Sequence, residues 1–158
     1  MPVVKIPDPV LRRKAAEVVK YGKKQRLLIE DMIRIMKKSE GIGLAAPQVG
    51  LSTRIVVVAP HGVKAVGFIN PVIVKSEGEV LGEEGCLSIP ALYGQVKRAE
   101  YIEVDAIDQR GREVTLELEG IHARVMQHEI DHLDGVLFTD RAELGSLYWR
   151  DPHAYDEE

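Results

Sequence analysis

The stretch that most constrains this chain is Gln127-His128-Glu129-Ile130-Asp131-His132-Leu133-Asp134-Gly135. It contains H-E-x-x-H. On an α-helix, positions i and i+4 sit one above the other, so His128 and His132 can grip a single metal ion. Glu129 lies about 100° around the helix from His128. That is too far round for a natural third ligand and close enough to reach water beside the metal. From Ile121 to Leu133 the apolar residues Ile121, Val125, Met126, Ile130 and Leu133 recur at spacings of one, three and four, without a proline. Gly120 and Gly135 bracket the run as start and stop, so the spacing predicts a helix here.

Around this helix the chain reads as ordinary globular protein. Its 158 residues suit one domain with a real core. A net charge of −4 gives no basic footprint for nucleic acid, and no apolar run approaches the length of a membrane span. The N-terminus lacks the apolar segment of a signal peptide. With Cys86 as the single cysteine there can be no internal disulfide, which points to a cytoplasmic setting. An organellar or virus-encoded copy would read the same way.

The remaining elements follow from periodicity. Pro7 and Pro9 keep the start extended. Residues 25–38 carry a helical stripe of Leu28, Met32, Ile35 and Met36. Residues 54–59 form a β-branched run ended by Pro60, and residues 65–69 and 72–75 read as strands either side of Asn70-Pro71. Residues 101–107 and 114–118 alternate about the turn Asp108–Gly111, an antiparallel hairpin. Val136-Leu137-Phe138 reads as a short apolar extension. Residues 144–158 read as a short, flexible acidic tail of the single catalytic domain spanning 1–158.

A catalytic site of this type takes three protein ligands and leaves a position for water. The metzincin pattern continues H-E-x-x-H-x-x-G-x-x-H; this chain matches through Gly135, but Phe138 stands where the last histidine belongs. A thermolysin-like enzyme takes a later glutamate, and only Glu143, Glu157 and Glu158 remain, one too near and two in the tail. Upstream, Cys86 is the one soft ligand in the chain, and a metal would hold it as thiolate. Its neighbourhood, Glu84-Gly85-Cys86-Leu87-Ser88, is matched by a second unusual segment, Gly41-Ile42-Gly43-Leu44-Ala45-Ala46-Pro47-Gln48. That loop's small residues let a backbone pass closely. It lacks the G-x-x-x-x-G-K-[ST] of a phosphate loop.

Together these three segments resemble the peptide deformylase family, whose motifs are G-x-G-x-A-A-x-Q, E-G-C-L-S and Q-H-E-x-D-H-L. The likeness runs from about Ile6 to Arg141 and includes Asp8-Pro9-Val10-Leu11-Arg12. The resemblance implies an α+β fold with antiparallel strands packed around a central metal-binding helix, plus an N-terminal helix. It implies removal of the formyl group from N-terminal formyl-methionine of newly made polypeptides, with one divalent metal per chain: Fe2+ natively, with Zn2+, Ni2+ or Co2+ as substitutes. The implied ligands are Cys86, His128 and His132. Glu129 would be the general base for a metal-bound water, with the Gln48 amide and the Leu87 backbone N–H as oxyanion donors. An extended substrate would bond to Ile42, Gly43 and Gly85, and its methionine side chain would meet Ile121 and Val125. Glu84 and Arg98 would form a supporting ion pair. Family members commonly continue into a long C-terminal helix that in some bacterial enzymes contacts the ribosome. The short acidic end here puts docking by that route in doubt.

Two other readings stay open from the residues alone. A zincin-type endopeptidase would share the histidines and the base but needs another third ligand. A structural Cys-His-His module would need a fourth protein ligand.

Overall fold

The computed structural model describes residues 2–60 and 63–150. Pro9–Arg12 form one 3₁₀ turn, capped by the Asp8 carboxylate, which accepts from Val10 N–H at 3.0 Å. Helix α1 covers Lys23–Lys38. Its buried stripe is Ile29, Met32 and Met36, rotated slightly from the expected one, while Leu28 and Ile35 are half-buried. The cause lies in the sheet beneath: Gly67 leaves a notch that the Ile29 side chain fills, and a Cβ there would collide with it.

Strands β1 (Gly43–Ala45), β2 (Ile55–Val58), β3 (Val66–Glu77), β6 (Tyr101–Asp108) and β7 (Glu113–Glu119) form one sheet in that order, all antiparallel. The two strands expected around Asn70-Pro71 are one strand. Asn70 adopts φ 52° and the β3/β6 register shifts between Ile69 and Val72. A bulge therefore absorbs the proline, which has no N–H to offer the ladder. The Asn70 side-chain amide bonds both the N–H and the C=O of Val18 at 2.9 Å, steadying that bend.

A second sheet, of strands β4 (Val80–Cys86), β5 (Ile89–Arg98) and β8 (Tyr148–Trp149), is absent from the sequence reading. Its hairpin is hard to see because Glu83-Glu84-Gly85 breaks any apolar alternation. Helix α2 (Gly120–Leu133) and the short helix α3 (Phe138–Arg141) complete the order. The expected apolar extension at 136–138 instead leads into α3, with Leu137 and Phe138 buried beside Val10, Leu11, Ile89 and Val96. Residues 144–150 also differ from the expected free tail. Ser146 Oγ accepts from Gln95 N–H at 3.1 Å, and Leu92 and Tyr93 pair with Trp149 and Tyr148. Residues 151–158 lie outside the described residues.

The large sheet separates two cores. Ile55 and Val57 face α1 along with Leu44, Ile69, Met32 and Met36. Val56 and Val58 face α2, meeting Ala123, Val125, Met126, Ile130 and Leu133. Alternation along one strand thus seats a helix on each face. Each large side chain so buried contributes roughly 1.5–3 kcal/mol. No helix among the described residues is long and apolar enough to cross a membrane.

Candidate metal centre and its cleft

Helix α2 is wedged between the sheets by its own polar face. The Gln127 side chain accepts from Ala99 N–H and donates to Ala99 C=O, both at 3.0 Å, clamping the helix to the β5–β6 corner. This aims His128 and His132 at the end of β4, where Cys86 sits. Their imidazole centroids are 5.1 Å apart, and Cys86 Sγ lies 3.3 Å from His132 Nε2. One ligand atom from each of Cys86, His128 and His132 falls within 4.8 Å of the others. Ligands at about 2.0–2.3 Å from a tetrahedral ion lie roughly 3.3–3.8 Å apart, inside that limit. A soft sulfur with two imidazoles suits zinc, iron, nickel or cobalt far better than magnesium or calcium.

The imidazoles are held differently. His128 Nδ1 meets Glu84 Oε1 at 2.8 Å, which leaves Nε2 for the metal side, an arrangement common behind ligating histidines. Glu84 is itself the hub of a buried charge network. Arg98 grips both its oxygens at 2.9 Å, Arg124 adds a contact of 2.6 Å, and Arg98 reaches on to Asp131 at 2.6 Å. Arg141 closes the chain on Asp131 at 2.6 Å. Burial by itself would raise the Glu84 carboxyl, but hydrogen bonds from Arg98 and His128 outweigh it and hold the group well below the usual carboxylate range. Burial opposes the His128 charge, and hydrogen bonds to Cys86 and Glu84 overcome that and raise its pKa. His132 goes the other way: burial, then the positive charges of His128 and Arg98, lower it.

Among the described residues, two buried polar atoms find no hydrogen-bond partner: Glu129 Oε1 and His132 Nδ1. Glu129 is 4% exposed, and its carboxylate lies against Gly43, where any Cβ would run into it. Burial pushes Glu129 up to about 7, opposed by the nearby His128 charge and reinforced by Glu84. A carboxyl group kept free of partners and poised near neutrality has the properties of a proton carrier. On the other side, the Gln48 side chain is fully oriented. Its Oε1 accepts from Ala45 N–H at 3.0 Å, so its NH2 must point toward Ser88 Oγ at 3.2 Å and Cys86 Sγ at 3.5 Å.

These groups sit at the floor of an open cleft of about 400 Å3. Ile42, Gly43 and Gln48 line one wall; Gly85, Cys86 and Leu87 line the other; Ile121, Val125, His128 and Glu129 come from α2. All the residues singled out from sequence therefore gather in one place, with His132 seated behind the floor. β1 and β4 are edge strands of their respective sheets, so each wall offers a strand edge. Sequence reasoning missed Arg124, Asp131, Ser88 and Tyr93. The signal for the first was available, because Arg124 stands four residues before His128 and so shares its helical face.

A helix presenting H-E-x-x-H to a cysteine at a strand end, beneath an open cleft, has the build of a metal-dependent hydrolase. The polypeptide deformylase family model matches residues 1–146, and the chain belongs to that family. It is 50% identical over 141 residues to a peptide deformylase of Symbiobacterium thermophilum, covering 88% of this chain and 65% of that protein. A Halothermothrix orenii peptide deformylase is 49% identical over 145 residues, covering 89% and 94%. The crystal structure of peptide deformylase from Thermus thermophilus superposes with a TM-score of 0.86 at 51% identity, covering 90% of this chain and 85% of that one.

Proposed function

We propose that this chain removes the formyl group from N-terminal formyl-methionine of newly synthesised polypeptides, as a single catalytic domain. The observation that carries the reading is the convergence of Cys86, His128 and His132 beside an unpartnered, buried Glu129 carboxylate in a strand-edged cleft. Those three side chains would hold one divalent ion, with Fe2+ as the native metal and Zn2+, Ni2+ or Co2+ as substitutes. A bound ion would supply Lewis-acid chemistry, activating water and the formyl carbonyl. The need to keep Cys86 reduced for this duty suits the cytoplasm.

The residues supply the rest. Glu129 takes the proton from the attacking water and delivers it to the departing amine, a transfer its elevated pKa favours. As the formyl carbon becomes tetrahedral, negative charge develops on its oxygen. The Gln48 NH2, turned toward Cys86 by the contact its Oε1 makes with Ala45, and the Leu87 backbone N–H donate to it. Glu84 fixes the His128 ring through Nδ1. The peptide lies as an added strand between the edges of β1 and β4, bonded to Ile42, Gly43 and Gly85. Ile121 and Val125, one helical turn apart, receive the methionine side chain.

Formate release from formyl-Met peptides after anaerobic reconstitution with ferrous iron tests the reading. We expect turnover on formylated peptides and none on unformylated ones. A metal-loaded protein that releases no formate sinks it. Cleavage within unformylated peptides would revive an endopeptidase reading.

A further inference from the structure

The segment after α3 packs behind two residues that line the cleft, Glu83 and Tyr93. Gly85, Tyr93 and Tyr148 are register partners across β4, β5 and β8, so they share one face of the small sheet. With no side chain at Gly85, the Tyr93 ring lies over that position; a Cβ there would sit 2.6 Å from Tyr93 Cε1. Tyr93 is backed by the Tyr148 ring, at 5.9 Å between centroids, and by the Arg150 guanidinium, at 4.0 Å from its centroid. Arg150 is placed by its own backbone, whose N–H donates to Ala91 C=O at 2.7 Å.

The same two residues neutralise a carboxylate on the cleft. Glu83 stands two residues from Gly85 on β4, and both line the opening. Tyr148 O–H donates to Glu83 Oε2 at 2.5 Å, and Arg150 Nη2 donates to Glu83 Oε1 at 2.8 Å. The Tyr148 hydroxyl, and less strongly Arg150, hold the Glu83 carboxyl below its usual range, so the pair is ionised at neutral pH. Glu40 also lines the opening and has no ion pair among the described residues. The outer cleft therefore carries one free carboxylate and one whose charge is cancelled from β8.

We infer that Glu83, Tyr148 and Arg150 form a specificity-determining rim that sets which charged side chains are accepted after the formyl-methionine. This rests on the deformylase reading and refines its substrate class. A peptide added to the edge of β4 advances about 3.3 Å per residue, so a chain bonded at Gly85 passes Glu83 within about two residues. Removing Arg150 uncovers the Glu83 charge and should favour cationic substrates. Removing Glu83 leaves Arg150 uncompensated and should favour acidic ones.

The experiment uses the metal-loaded full chain with two amidated peptides, formyl-Met-Lys-Lys and formyl-Met-Glu-Glu, and reads the ratio of their kcat/KM values. The ratio cancels any general loss of active protein. Relative to the unsubstituted chain, Arg150→Met should raise the Lys/Glu ratio about 2–5-fold, and Glu83→Gln should lower it about 2–5-fold, as expected for exposed charges. Arg150→Lys should restore the original ratio, and high salt should shrink both shifts. Ratios that stay fixed, or that move in the same direction in both variants, overturn the inference and leave β8 a structural strap. If the unsubstituted holoenzyme deformylates neither peptide, the deformylase reading itself fails.

Discussion

The two walls of the cleft are built on opposite principles. The β1 wall, residues 41–49, contains no ionisable side chain, and Leu44, Ala45 and Ala46 are fully buried in the apolar cores. The β4 wall is held by charge: Glu84 and Arg98, with side chains 5% and 4% exposed, tie the small sheet to Arg124 and Asp131 of α2. Burial without charge tolerates changes in pH and salt. A compensated buried network does not, because loss of one member strands the others. The wall that orients His128 is thus the one whose position depends on ionisation.

The largest effect should come from the group between the walls. Glu129→Gln should bind metal normally, since Glu129 is no ligand, yet lose roughly 10²–10⁴-fold in turnover. Metal content measured beside kinetics checks this; an active variant, or one without metal, removes Glu129 from its role. Next in size is the β4 wall. Arg98→Met leaves Glu84 and Asp131 without their shared partner and should destabilise the fold by about 3–5 kcal/mol. Chemical denaturation measures it, and a loss under about 1 kcal/mol would mean that the network is not what holds the wall.

On the β1 wall the expected signature is kinetic. Gln48→Ala should lower turnover roughly 10²–10³-fold with little change in KM, the usual loss for one oxyanion donor. Normal turnover with a depressed Tm would make Gln48 structural only. The smallest effect is a pH slope. The Glu84 carboxyl lies well below its ordinary 4.5 when folded, so its contribution is fully present above 4.5 and is lost as pH falls toward the folded value. Stability should therefore drop with acid below about 4.5, and Glu84→Gln should flatten that slope. Leu44→Ala, costing roughly 2–5 kcal/mol from the uncharged wall, should leave the slope intact. Parallel slopes in all three proteins would erase the contrast between the walls.

Residues near one another in sequence were readable where they obey a local rule. His128, Glu129 and His132 declare themselves through helical spacing, and the hairpin 101–118 through strict alternation. Cys86 connects with the helix as the one soft ligand in the chain, and Gln48 only through the family resemblance; they stand 42 and 80 positions from His128. The β4–β5 hairpin was missed because its polar residues serve the site rather than a core face. Glu84 breaks the alternation since it is buried as an ion, and its partner Arg98 lies on another strand.

By itself, then, the sequence determined the helix that carries His128 and His132, the antiparallel α+β class and the candidate ligand set of one thiol and two imidazoles. All of these follow from patterns that repeat within a few residues, joined by the motifs of one family. Only the tertiary structure decided that Arg124 and Asp131 join Glu84 and Arg98, that Ser88 shares the Gln48 amide, and that Tyr148 and Arg150 return to neutralise Glu83. Those contacts join residues as much as 67 positions apart. Their formation depends on how two sheets close over one helix, and no local preference encodes that.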